Sequence, residues 1–174
     1  MKNLEAKFRL ADLDKAEACA TALGYARRAI LNQRDTFFRV ANGKLKLREE
    51  NGSAVLILYR RGESGPLMVS DYEIVPVADP ARTLRILDDA LGTIAVVEKV
   101  RTLMTRDSVR LHLDRVAKLG KFGEIEAVIA DGDQPEGSRG AVEEILAALG
   151  VVPAELIDVS YFELLSRQQW DDKH

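Results

Sequence analysis

The sequence predicts an α+β fold, one large and mainly antiparallel sheet of about eight strands, either curved or closed into a β-barrel, with flanking helices. Three observations carry this reading. About eight segments have strand patterning and about four have helical patterning. Most strand-to-strand connections are too short for the crossovers that parallel strands need. Finally, charged and apolar residues alternate along several of the strands instead of segregating into tails.

The elements follow in order. Residues 3–10 alternate, with Asn3, Glu5, Lys7 and Arg9 set against Leu4, Ala6, Phe8 and Leu10, the period of a half-buried strand. Asp12 is placed to cap a helix that Gly24 ends. Residues 34–40 read as a strand. Residues 44–50 and 54–61 form a hairpin about Asn51-Gly52, a strong two-residue turn signal. Gly62 to Pro66 reads as a loop and 68–76 as a strand. Asp79-Pro80 opens a second helix that stops at Gly92, proline suiting the first helical position. Strands recur at 95–105, 108–116 and 122–129. The segment 131–140 reads as a loop, 141–149 as a helix, and 160–168 as a short final helix.

Composition limits the function. The chain has 174 residues, 47% of them hydrophobic and 30% charged, with a net charge of −3, the balance of a globular protein. A single domain over 1–170 with a frayed tail at 171–174 is expected. No apolar stretch approaches the ~18 residues of a membrane span. The charged N-terminus, MKNLEAKFRL, is unlike a signal peptide, so a cytoplasmic protein is expected. Cys19 is the single cysteine, which excludes an internal disulfide and a multi-thiolate zinc site. With only His112 and His174, any metal is expected on carboxylates.

The net charge hides a split. Residues 1–61 hold 13 basic and 7 acidic side chains, whereas residues 62–174 hold 12 and 21. Within the strands the charges form rows. Glu5, Lys7 and Arg9 make one, Lys44, Lys46 and Arg48 a second, and Lys99 with Arg101 a third. Arg110, His112 and Asp114 make a fourth, and Glu124 with Glu126 a fifth. Each row alone reads as the solvated face of a sheet. Together they are nearly all charged, and they include two basic pairs spaced two apart, Lys46/Arg48 and Lys99/Arg101, and one acidic pair, Glu124/Glu126, a sorting that ordinary solvated faces lack. Turned inward, they would line a wet, charged tunnel. Buried charges need partners or ligands. A polyanion with a divalent cation satisfies both signs, because lysine and arginine grip phosphate oxygens and carboxylates hold Mg²⁺ or Mn²⁺.

These residues stand in a recognisable order. Asn3-Leu4-Glu5-Ala6-Lys7 follows an E-x-E-x-K signature, and Gln33, Asp35, Phe37 and Phe38 a Q-x-D-x-[FY]-F segment. L-K-L-R-E (45–49), S-D-Y-E (70–73), E-K-V-R (98–101), H-L-D (112–114), L-G-K-F-G-E-I-E (119–126) and S-Y-F-E-L-L (160–165) complete the set. The sequence resembles the CYTH family of triphosphate tunnel metalloenzymes over essentially its whole length, nearest the class IV adenylate cyclase branch. The resemblance implies metal-binding carboxylates at Glu5, Glu124 and Glu126, with Glu5, Asp114 and Glu126 in catalysis. It implies triphosphate-binding bases at Lys7, Lys46, Arg48, Lys99 and Arg101, joined by Arg60 as the match of a tunnel lysine and by Asp71, preferred to Glu73, on the strand after the hairpin. Asn3 departs from the signature's first glutamate, and an amide brings a ligand oxygen without charge.

The expected function is therefore metal-dependent chemistry on ATP, thiamine triphosphate or inorganic triphosphate. The class IV cyclase reaction leads, and triphosphate hydrolysis by the same residues is the alternative. A module that binds polyphosphate or nucleotide without turnover is the reading from another class, favoured by Asn3. No Walker A motif and no G-x-G-x-x-G occurs. Without an aromatic and basic platform, nucleic acid is not an expected partner. Cys19 reads as a small core residue, His112 as a structural hydrogen-bonding group or a proton shuttle, and Tyr161 as packing or as a closure of the tunnel end. Oligomeric state is not legible.

Overall fold

The computed structural model describes residues 2–61, 68–129 and 135–171. In chain order these form β1 (Lys2–Arg9), α1 (Leu13–Ala22), β2 (Ala26–Phe38), β3 (Lys44–Glu50), β4 (Ser53–Arg61), β5 (Met68–Pro76), α2 (Pro80–Leu91), β6 (Thr93–Arg106), β7 (Val109–Val116), β8 (Gly120–Ile129), α3 (Pro135–Ala148), a 3₁₀ turn (Pro153–Glu155) and α4 (Tyr161–Asp171). Every strand pairs antiparallel with two neighbours. The order β1-β5-β4-β3-β2-β6-β7-β8 returns to β1, so the sheet closes as a barrel. Closure leaves no full-length edge to protect.

Local chemistry sets the boundaries. Asp12 caps α1 by accepting from the backbone N–H groups of Asp14 at 3.0 Å and Lys15 at 3.2 Å. Asp79 caps α2 in the same way, accepting from Arg82 N–H at 2.9 Å, with Pro80 at the start of the helix. The β3–β4 turn places Asn51 at φ 45° and Gly52 at φ 86°, the pair of left-handed residues that a type I′ hairpin requires.

The barrel's outer surface is its apolar one. Leu4, Ala6 and Phe8 of β1, Leu111 and Leu113 of β7, and Ile125 and Ala127 of β8 point outward. There they pack with Ala16 and Ala20 of α1 and with Val142 and Ile145 of α3. On the far side, Phe38, Leu47 and Ala54 pack with Leu84, Leu87 and Leu91 of α2. Helix α4 packs over one end of the barrel, where Tyr161 and Leu165 meet Phe37, Val97 and Phe122. One glycine is dictated by this packing: a Cβ on Gly123 would lie 2.3 Å from the Phe8 ring. No helix among the described residues is long and apolar enough to cross a membrane.

Two boundaries differ from the sequence reading. Strand β2 begins at Ala26 rather than at residue 34, because β6 pairs with it back to Ala26 through a register shift between Arg27 and Ala29. That irregularity breaks the alternation by which strands are recognised. Helix α3 begins at Pro135, inside the segment read as a loop for its glycines and serine. The helix α4 reaches Asp171, one residue into the expected tail. The expected loop from Gly62 to Pro66 and the tail residues 172–174 lie outside the described residues.

Candidate active site

Alternation aims the charged rows into the barrel. On β3, Leu47 is buried against α2 while Lys46 and Arg48 line a central cavity of about 220 Å³. The same cavity receives Glu5 and Lys7 from β1, Asp35 from β2, Lys99 and Arg101 from β6, Arg110 from β7, and Glu124 and Glu126 from β8. The expected tunnel is therefore present, and its lining is organised around two carboxylates.

Asp35 is the first. Arg48 donates to it from Nε at 2.6 Å and from a terminal guanidinium nitrogen at 2.7 Å, and Lys46 and Lys99 each donate at 3.0 Å. One buried carboxylate thus gathers three cations from two neighbouring strands. Burial alone would raise the Asp35 pKa, but Lys46, Lys99 and Arg48 outweigh it and hold the carboxyl well below its usual range. Lys46 bears the opposite effect. Burial, reinforced by the like charge of Arg48, pulls its ammonium down to about 7. Lys99 is lowered too, first by burial.

Asp114 is the second. Arg101 bonds both of its oxygens at 2.7 Å and also reaches Glu124 at 3.1 Å, while the Tyr161 hydroxyl donates to Asp114 at 2.9 Å. Burial opposes the charge on Arg101, yet Asp114 and Glu124 raise its pKa well above normal, so it stays a fixed cation. Burial and the neighbouring Asp114 carboxylate drive the Tyr161 phenol well above its ordinary range and keep it a donor.

Beside these, Lys7 bridges Glu5 at 3.2 Å and Glu124 at 3.3 Å. Glu5 stands directly opposite Glu126 in the β1–β8 register. The ligand atoms of His112, Glu124 and Glu126 all lie within 4.8 Å of one another, a separation that one cation could bridge. The imidazole Nδ1 is 3.3 Å from Glu124 and 3.9 Å from Glu126.

The structure brings together Glu5, Lys7, Lys46, Arg48, Lys99, Arg101, Glu124 and Glu126, all on the cavity wall. Asp114 is fully buried behind Arg101. Arg60 is not brought in. It is absent from the cavity lining and faces Glu73 at 3.6 Å, both side chains being more than half exposed. The alternation of β4 explains this correction, since Tyr59 takes the inward position and Arg60 the next one. The backbone of Asp71 pairs with Lys2 and Arg60, and its side chain lies outside the described residues, as does that of Asn3.

Sequence reasoning gave Asp35 no role of its own, although its alternation with Phe37 was a signal for an inward carboxylate. It placed Glu5 in the metal set with Glu124 and Glu126 but did not include His112, which the geometry groups with those two. It also missed Glu163, which binds Lys44 at 2.7 Å; burial opposes its charge, but Lys44 and Ser160 hold its pKa at about 2.

Comparison with known proteins bears on the family and the fold. A family model described as the CYTH domain matches residues 1–161. A Methanocaldococcus jannaschii protein named "Putative adenylate cyclase" is 24% identical over 173 residues, covering 94% of this chain and 98% of its own. The PH1012 protein of Pyrococcus horikoshii superposes with a TM-score of 0.84 at 22% identity, over 93% of this chain and 98% of that one. A Hippeastrum protein, described as a "Putative adenylyl cyclase" that "reveals a dominant" triphosphatase activity, superposes with a TM-score of 0.68 at 18% identity, over 96% of this chain and 95% of that one.

Proposed function

The chain belongs to the CYTH domain family, and from that premise we propose that its tunnel is the active site of a divalent-metal-dependent enzyme acting on a triphosphate. Its reaction is that of a class IV adenylate cyclase, ATP to cyclic AMP and pyrophosphate. The observation that carries this reading is the convergence of Lys7, Lys46, Arg48, Lys99 and Arg101 on one cavity that also holds Glu5, Glu124 and Glu126. A polyanion is the ligand that such a set of buried bases is built to receive.

Each residue has a task in this reading. Asp35 holds Lys46, Arg48 and Lys99 in place before the ligand arrives, so little ordering remains to be done when phosphate oxygens bind. Asp114 and Tyr161 fix Arg101 in the same way. His112, Glu124 and Glu126 fit a divalent cation, because their donor atoms converge and two are hard carboxylate oxygens; the imidazole suits Mn²⁺ better than Mg²⁺. A bound cation there would supply Lewis-acid neutralisation of charge on the phosphoryl oxygens. Glu5, a cavity carboxylate outside that set and beside Glu126 in the β1–β8 register, accepts the nucleophile's proton. The ribose 3′-oxygen then bonds to the α-phosphorus, the bond to the bridging oxygen breaks, and pyrophosphate leaves held by Arg48, Lys46 and Lys99. Positioning and electrostatics supply the rate.

Hydrolysis of the terminal phosphate by water is the second reading, supported by the triphosphatase activity in the description of the Hippeastrum neighbour. Incubation with ATP, thiamine triphosphate and inorganic triphosphate, each with Mg²⁺ or Mn²⁺, followed by ion chromatography, separates the two. Cyclic AMP with pyrophosphate establishes the cyclase, and orthophosphate establishes the hydrolase. Ligand-induced thermal stabilisation without turnover would leave a binding module instead.

A further inference from the structure

We infer that Arg28, together with Arg110, forms a cationic lip at the end of the tunnel away from α4, where it draws a polyanionic ligand in from solvent. This rests on the triphosphate reading above and adds to it a point of entry and a residue that governs the rate of capture.

The tunnel changes character along its length. At one end α4 packs Tyr161 and Leu165 against Phe37, Val97 and Phe122. From Val97 the cavity face of β6 runs through Lys99 and Arg101, and the same alternation reaches Thr105. Thr105 lies eight residues beyond Val97, roughly 26 Å of extended strand at ~3.3 Å per residue. Solvent contact rises on the way. The Arg101 side chain is 6% exposed, whereas that of Arg110, directly opposite Thr105 in the β6–β7 register, is 45% exposed and still lines the cavity. Water thus reaches the cationic lining at Arg110.

An irregularity delivers Arg28 to the same place. Strand β2 pairs Arg27 with Met104 and Ala29 with Leu103, which leaves Arg28 as the extra residue of a bulge. Bulges at barrel rims re-aim side chains. Here the Arg28 Nε donates to Thr105 Oγ1 at 2.7 Å, on the face of β6 that carries Arg101 and not on the face of Met104, which is fully buried beside α1. The preceding residue goes the other way, since Arg27 is ion-paired with Glu17 of α1. Two adjacent arginines are therefore used differently. A carboxylate answers the charge of Arg27, whereas a neutral hydroxyl holds Arg28 in place without cancelling its charge.

The charge balance gives such a lip a purpose. The chain carries a net −3, which repels a polyanion at long range, and a local cation at the entrance offsets that repulsion. Arg110 is 3.9 Å from Glu126, so part of its charge is already answered within the cavity. Arg28 supplies the excess, outside the buried bases that hold the ligand once it has entered.

The test is stopped-flow fluorescence with methylanthraniloyl-ATP and Mg²⁺ on the wild type, Arg28→Gln, Arg28→Lys and Arg27→Gln. Association and dissociation are measured at ionic strengths of about 0.01 M and 1 M, between which the screening length falls from ~30 Å to ~3 Å. Circular dichroism establishes that the variants are folded. Arg28→Gln is expected to slow association about threefold or more at low salt, to leave dissociation within about twofold, and to match the wild type at high salt. Arg28→Lys should restore the rate. Arg27→Gln changes the net charge equally but from the outer face, and should associate as the wild type does. Equal slowing by Arg27→Gln, or no slowing by Arg28→Gln, overturns the lip. A change confined to dissociation overturns it as well, because Arg28 would then be a contact of the bound ligand. Calorimetry with inorganic tripolyphosphate runs beside these measurements. A wild type that binds neither probe overturns the triphosphate reading and the lip with it, whereas a wild type that binds with unaltered Arg28 variants overturns the lip alone.

Discussion

The Tyr161 hydroxyl donates to Asp114 at 2.9 Å, so the first residue of α4 is bonded to the carboxylate that orients Arg101. The helix over the barrel end and this cavity-lining arginine are thereby one unit. Replacing Tyr161 by Phe keeps the edge-on packing against Phe122 and removes only the donor. A loss of about 0.5–1.5 kcal/mol is expected, which is a few degrees in melting temperature for a chain of this size. The Michaelis constant for the triphosphate should rise as Arg101 loosens. Thermal denaturation and steady-state kinetics check the two effects, and an unchanged melting temperature would contradict the coupling.

Asp35→Asn removes the one negative charge shared by Lys46, Arg48 and Lys99. Breaking a buried network on one side costs about 3–5 kcal/mol. Because tripolyphosphate supplies the missing anion, saturating ligand should raise the variant's melting temperature more than the wild type's. Equal ligand-induced shifts would show that these bases do not meet the phosphate chain.

The depressed Lys46 ammonium predicts a pH dependence with a definite sign. Its pKa of about 7 in the ligand-free tunnel means that it is charged at pH 6 and mostly neutral at pH 8. A bound polyanion favours the charged form, so binding above pH 7 must take up a proton. Affinity should then fall by up to tenfold per pH unit above 7, where a terminal phosphate with pKa near ~6 is already ionised and does not compensate. Titration in buffers of different ionisation enthalpy measures the uptake, and Lys46→Arg should abolish it.

Glu126→Gln keeps the shape of the His112–Glu124–Glu126 group and withdraws one charge from it. The side chain is partly exposed, so the fold should survive. Metal-dependent turnover should fall at least about a hundredfold, the scale of several kcal/mol of charge stabilisation. Activity assayed across a Mn²⁺ series beside a melting curve separates the two, and full activity would remove Glu126 from the metal set.

Gly123→Ala should destabilise the fold without touching the tunnel's charges. The new Cβ would sit 2.3 Å from a Phe8 ring that is itself fully buried, and overpacking of this kind costs about 1–3 kcal/mol. Chemical denaturation measures it; a wild-type midpoint would show that the Phe8 ring can move aside.

The barrel and most of its lining were legible because they are written locally. Lys46 and Arg48 flank Leu47, and Glu124 and Glu126 flank Ile125, so period two alone assigns their faces. Asp35 was not legible as a hub, since its partners arrive from β3 and β6 and no spacing along the chain links Asp35 to Lys99. His112 joins Glu124 and Glu126 only through the register of β7 on β8. Arg60 was misplaced by one position, because three consecutive polar or charged residues from Tyr59 to Arg61 give no alternation to read. The start of β2 was hidden by the irregularity between Arg27 and Ala29.

The alternation of β3 has a consequence for how the chain finds its pairing. Lys44, Leu45, Lys46, Leu47 and Arg48 carry opposite preferences at every step. A slip of one residue against β2 or β4 would drive Leu45 and Leu47 into the charged lumen and press three cations against the leucines of α2. Both errors are unfavourable at once. The charged row thus also acts as a proofreading device during assembly, rejecting every odd-numbered misalignment of its strand.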